Sequence, residues 1–265
     1  MKEFFRAYRI LAVTSIKSAL QYRFSFIANI LGLGALAVVD FLLIAAIILR
    51  FKTIGGWDPW EVAVLYGMSS SALGLFRVVG SEIHEFDNYL VAGEFDALLT
   101  RPWDPLFVLL TRKIDINRLG APLQGIIITG IGVAHLVATG ELTPLAAALI
   151  PLFVINGFLI YTGISVATAT LGFWTTRIDD LQPVTIYAPS NAAMYPLTIF
   201  PGWLRGILTS LLPVALTNYV PLLYLLGKGA SWIVLPGSLI ATWLFLWLVR
   251  RFWLVGLRHY NSTGS

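Results

Sequence analysis

The side chains able to do chemistry in this chain are few, and most of them fall between Ser81 and Pro102. Glu82, His84, Glu85 and Asp87 come first. Carboxylates and an imidazole are the types that general acid–base chemistry needs, but their spacing suits a solvated helix face. The run Gly93-Glu94-Phe95-Asp96-Ala97-Leu98-Leu99-Thr100-Arg101-Pro102 follows and reads as a short capped helix. Gly93 breaks the preceding helix. Glu94 and Asp96 lie in the first turn, where the helix dipole favours anions. Leu98 and Leu99 supply apolar knobs. Pro102 stops the helix, because the residue before a proline disfavours the helical region. Two uses fit such an element: docking into a groove on a soluble partner, or joining two longer elements through solvent.

Other chemistries lack their residues. No Gly-x-x-x-x-Gly-Lys-Ser/Thr phosphate loop occurs, and Gly227-Lys228-Gly229 lacks both the upstream glycine and the hydroxyl. By this route the chain does not hydrolyse ATP, so no catalytic residue and no enzyme activity are assigned to it. His84, His135 and His259 are far apart with no His-Glu-x-x-His pattern, so neither a metal nor a bound cofactor is expected. No Gly-x-Ser-x-Gly elbow is present. The absence of cysteine excludes disulfides and thiolate chemistry.

The elements that must position these residues are long apolar runs. The chain is 57% hydrophobic and only 12% charged, against about 25% charged in soluble domains. Hydrocarbon offers the backbone no hydrogen bonds, so such runs must be helices in a bundle. The reading is an all-α polytopic membrane protein with one transmembrane domain over 1–261. Spans are expected at about 24–49, 59–79, 119–139, 144–174, 181–201 and 232–255. Asp58-Pro59 and Thr143-Pro144 are helix starts, each an N-cap followed by proline. The stretch 80–118 links the second and third spans. In 207–226, Pro213, Asn218 and Pro221 break an apolar run, which reads as two short helices dipping into the membrane from one side. Residues 1–23 read as an amphipathic interfacial helix, with Lys2, Arg6, Arg9 and Lys17 on one face and Phe4, Phe5, Tyr8 and Leu11 on the other. The first apolar run is too long for a signal-peptide core and reads as a retained span. Residues 262–265 read as an appended tail.

Charge orients the bundle. With the N-terminus in the cytoplasm, 14 of the 18 Lys and Arg residues fall inside; Arg50, Lys52, Arg205 and Lys228 fall outside. A seventh span would carry Arg250, Arg251 and Arg258 outward, against the positive-inside tendency. Six spans with both termini inside fit better. The net charge of +4 is spread over helix ends, the pattern of membrane orientation and not of nucleic-acid binding.

Polar residues inside the spans are the remaining candidates. Asp40 sits mid-way along the first span, where a charge costs on the order of 3 kcal/mol. It fits a substrate or proton contact, or an interhelical hydrogen bond. Asn156 and Asn191 read as bridges between helices, and His135 as interfacial. Gly120, Gly125, Gly130, Gly132, Gly157, Gly163 and Gly172 would let helices approach closely. Trp57, Trp60, Trp203 and Trp232 mark the outer boundary, Trp103 and Trp174 the inner one.

The N-terminal helix, the six-span pattern, the Gly93–Pro102 loop and the broken segment before the last span together resemble the permease subunits of type-2 ABC exporters. More narrowly, the loop is similar to that of bacterial six-span ABC-2 transporter proteins, in which it reads Gly-x-hydrophobic-Asp-x-x-Leu-hydrophobic-Arg-Pro. Gly93, Asp96, Leu99, Arg101 and Pro102 fit; Thr100 departs from the apolar residue there. The resemblance implies an integral protein of the bacterial cytoplasmic membrane. It implies nucleotide-binding ATPase subunits that hold ATP and Mg, a second permease, identical or paralogous, and surrounding membrane lipid. It also implies that Gly93, Glu94, Phe95, Asp96, Leu98, Leu99, Arg101 and Pro102 grip the ATPase. The implied function is export of a hydrophobic or amphipathic substrate. The rivals are an ion-coupled secondary transporter, which needs charge at mid-depth, and a polytopic lipid-modifying enzyme, for which Glu82, His84, Glu85 and Asp87 are the candidate cluster.

Overall fold

The computed structural model describes residues 53 and 55–260, with positions 24, 27, 28, 31, 32, 35, 38, 39, 42 and 46, all ten of them helical. The interfacial helix expected over 1–23, Asp40 and the tail 262–265 lie outside the described residues.

The central element is α1, Pro59–Val79. Its start is the capping box legible in the letters. Asp58 Oδ1 accepts from the backbone N–H of Trp60 at 2.7 Å and of Glu61 at 3.0 Å, and Glu61 Oε2 accepts from the Asp58 N–H at 2.8 Å. In its most apolar stretch 83% of residues are buried, against 22–39% in the other long helices.

Two short helices, α2 (Ser81–His84) and α3 (Phe86–Val91), follow, then α4 (Phe95–Leu99) and α5 (Pro105–Thr111). The long helices α6 (Gly120–Ala138) and α7 (Pro144–Thr175) come next. Small residues let α1 and α6 touch backbone to backbone: a Cβ on Gly67 would meet Gly125 O at 2.8 Å, and one on Gly74 would meet Pro122 N at 2.7 Å. Gly130, expected in such a contact, faces open space. The 32 residues of α7 reach about 48 Å, more than a bilayer's hydrocarbon of about 30 Å. Its last turn therefore projects into the Ser81–Arg118 region.

The span expected over 181–201 is not one continuous helix. Pro183–Tyr187 is a π-helical turn and α8 covers only Ala188–Ala192; a 3₁₀ turn at Leu197–Ile199 follows. Proline explains both breaks. Pro189 has no N–H for the carbonyl four residues back, and the ladder widens so that Ala188 N–H bonds Pro183 O. Pro196 takes Tyr195 out of the helical region. The pieces still run the height of the bundle. Gln182 Nε2 donates to His84 O at 2.8 Å at one end, and Thr198 Oγ1 donates to Gly55 O at 3.3 Å at the other.

The expected break in the apolar run is present, and the broken segment begins earlier than 207. Helix α9, Gly202–Ser210, and the Val214–Leu225 piece that ends in α10, Tyr219–Leu225, meet at 73°. Thr198 and Lys228, flanking them, both bond to the Gly55-Gly56 corner. The segment is thus a hairpin that enters and leaves at the same end. Its tip reaches mid-bundle, where Asn156 Nδ2 of α7 donates to Leu216 O at 3.2 Å. Helix α11, Val234–His259, closes the chain. Among the described residues four helices are long and apolar enough to cross a bilayer. Ile126, Ile127, Ile131, Leu145, Ile155, Ile240, Trp243 and Leu244 are exposed, a larger apolar surface than water tolerates.

Candidate functional site

Gly93, at φ 69, turns the chain out of α3 and into α4. The side-chain cap expected from the acids is absent: Glu94 is exposed and makes no cap hydrogen bond. Asp96 points inward instead, its Oδ1 accepting from Tyr260 Oη at 2.9 Å. Burial, and then the Asp96 carboxylate, push the Tyr260 phenol up to about 12.

The two faces of α4 differ sharply. Phe95 and Leu98 are fully buried. The Phe95 ring meets Tyr260 at 4.9 Å, Phe86 at 5.3 Å and Phe173 at 5.5 Å, with Trp253 at 6.4 Å. These rings come from α3, from the projecting end of α7 and from the end of α11. Edge-to-face packing of this kind adds about 0.5–1.5 kcal/mol per pair to area burial. Leu99, Arg101, Pro102 and Trp103 stand exposed on the other side. Of the two leucine knobs, one locks the helix and one is displayed. Behind them Asp104 caps α5 at Phe107 N–H and pairs with Arg250 of α11.

Glu82, His84, Glu85 and Asp87 are not the solvated face that their spacing implies. The helix containing them is broken at Glu85, and the pieces wrap against α7. Glu82 is buried, bonded by Tyr89 Oη and 3.8 Å from Lys113 Nζ. Glu85 pairs with Arg118 at 3.3 Å, and Arg118 with Asp115 at 2.9 Å. The His84 ring Nε2 lies 3.0 Å from Tyr187 Oη of the π turn. Burial, then Arg77 and Arg118, push His84 down to about 4, so it is neutral at pH 7. Burial, then the neighbouring Asp179, raise the Asp87 carboxyl. The group forms a polar seam tying the loop to the π turn.

The family described as "ABC-2 family transporter protein" matches residues 35–264. This chain belongs to the ABC-2 transporter family. It is therefore an integral membrane component of a transporter. No curated protein and no solved structure matches it.

The remaining candidates of this ABC-2 protein separate. Asn156 is buried and ties α7 to the hairpin tip. Asn191, expected as a bridge, is exposed because its helix ends one residue later; it lines an apolar groove of about 620 Å³ between α8 and α9, with Tyr195, Phe200 and Leu208. His135 stacks on Trp60 at 4.2 Å. Sequence reasoning took Asn218 only as a break in an apolar run and missed it as a tie. It is fully buried, and its Nδ2 donates to Leu65 O at 2.8 Å and Ala193 O at 2.7 Å while Oδ1 accepts from Tyr219 N–H at 2.7 Å. One amide thus ties the hairpin to α1 and to the broken span. An asparagine between two prolines in an apolar run was the available signal.

One acidic group lies at the opposite end. Asp58, Glu61 and Glu141 bring carboxylate oxygens within 4.8 Å of one another. Asp58 is occupied as the α1 cap, and Glu61 pairs with Lys228 at 2.9 Å. The group therefore already has its cation in Lys228.

Proposed function

We propose that this chain is the membrane-spanning permease subunit of an ATP-driven exporter, with ATP and Mg held by separate nucleotide-binding subunits. The observation that carries this reading is the two-faced α4. A docking element must present a surface to its partner and be rigidly joined to what it moves. Leu99 and Arg101 offer the surface; Phe95 and Leu98 make the joint, seated on the ends of α7 and α11. A push on α4 is passed to two long helices through packed rings, which transmit displacement because they have no free volume to absorb it.

Family membership and the distribution of basic residues support the rest. The Ser81–Arg118 end faces the cytoplasm of a bacterial cell, both termini lie inside, six spans cross the membrane, and the hairpin 202–228 is re-entrant from the outer side. A second permease, identical or paralogous, completes the pathway. ATP binding biases two arrangements of the bundle by contacting α4 differently in each, and a hydrophobic or amphipathic substrate leaves the cytoplasm or inner leaflet.

The test separates the two faces of α4. Leu99→Asp with Arg101→Glu should abolish co-purification of the ATPase and its stimulation, with insertion and melting temperature unchanged. Asp96→Asn, directed inward, should leave capture intact. Undiminished capture by the Leu99/Arg101 variant would overturn the reading.

A further inference from the structure

Helix α11 displays a stripe that the bundle does not cover. At 100° per residue, Ile240, Leu244, Trp247, Arg251, Val255 and Arg258 fall on one stripe, and all six are exposed. The stripe changes character once along its length. From Ile240 to Trp247 it is apolar; from Arg251 to Arg258 it carries two guanidinium groups about 10 Å apart along the axis.

These arginines differ from their neighbour. Arg250 is paired with Asp104. Among the described residues neither Arg251 nor Arg258 has an acidic partner within ion-pair distance. Arg251 is instead held over the Trp247 ring, 5.2 Å from its centroid. That contact orients the guanidinium without neutralising it, at the point where the apolar part of the stripe ends.

We propose that this stripe is a binding site for an anionic phospholipid. The acyl chain lies along Ile240, Leu244 and Trp247, and the phosphate sits between Arg251 and Arg258. Charge complementarity selects this occupant. A second copy of the chain meeting the stripe symmetrically would bring the same two unpaired positive charges into the contact, whereas an anionic lipid supplies apolar length and negative charge in the order in which the helix presents them. Each basic residue near an anionic lipid surface contributes about 1 kcal/mol, and bidentate guanidinium–phosphate geometry adds selectivity. The proposal does not depend on which ATPase docks, or on export.

The test uses the full chain in phosphatidylcholine nanodiscs with graded phosphatidylglycerol, and native mass spectrometry to count retained lipid. The wild type should retain phosphatidylglycerol over phosphatidylcholine. Arg251→Gln with Arg258→Gln should weaken retention about thirtyfold, while Arg205→Gln, exposed near the other end, should leave it unchanged. If the double variant does not fold, Arg258→Gln alone should lower retention about fivefold. Retention equal to wild type in the arginine variants, or an equal loss in Arg205→Gln, overturns the proposal. So does a dimer whose abundance falls in the double variant while lipid retention holds, which would assign the stripe to a second copy.

Discussion

The two ends of this bundle are built on different terms. At the Ser81–Arg118 end, five aromatic rings from four segments interlock around Phe95 and Phe86, ion pairs join α2 to the segments after α5, and His84 is bonded through both its carbonyl and its ring. At the other end the hairpin buries Val214, Ala215 and Leu222 in the core and adds separate polar ties: Asn218 to Leu65 and Ala193, and Lys228 to Glu61 and Gly56. Lys228 lies between two glycines at φ 66 and φ 85, so the backbone beside it takes conformations that other residues resist. Many mutually dependent contacts make the first end move as a unit. At the second end the Asn218 and Lys228 ties share no partner, so either can be lost without the other.

The largest effect that could break this comparison is expected at Phe95. Phe95→Ala removes a fully buried ring and should cost about 3–5 kcal/mol, read as a fall in melting temperature in detergent, together with loss of coupled ATPase stimulation. A fall of a degree or less would mean that the end is not interlocked. Next is the Lys228 tie. Lys228→Met leaves the Glu61 carboxylate, 8% exposed, without its cation and should cost about 3 kcal/mol. Adding Glu61→Gln should recover more than half of that. Additive losses in this double-mutant cycle would show that the pair is not coupled.

The smallest expected effect is a pH slope. The folded His84 titrates near 4 and its ordinary value is 6.5. Between those values the unfolded chain binds the proton and the folded chain does not, so stability rises with pH across the window. Asp87 acts in the opposite sense: its raised value keeps a proton on the folded chain above 3.8, so its contribution falls as pH rises. His84→Gln should therefore remove the rising part of a melting-temperature profile from pH 4.5 to 6.5. An unchanged slope would place the titration elsewhere.

Legibility followed the range of the interactions. The start of α1 was readable residue by residue, because an N-cap, a proline and a glutamate act within one turn. The limits of α6, α7 and α11 lie within a few residues of those expected, because hydropathy and caps are properties of neighbours. The breaks in 181–201 carried a visible signal in Pro183, Pro189 and Pro196, overridden by the apolar average of the run. The inward turn of Asp96 had no local signal, since Tyr260 lies 164 residues away.

What the amino-acid order determined by itself is that this chain is helical, membrane-embedded and equipped with a short element between α1 and α6, because bilayer burial and helix capping depend on residues near one another in sequence. Tertiary structure decided which side of that element is anchored and which displayed, which carboxylates have partners, and that one asparagine ties three segments. Those outcomes rest on side chains from distant segments meeting at hydrogen-bond and ring-contact distance, where a buried polar group must find its partner or destabilise the fold.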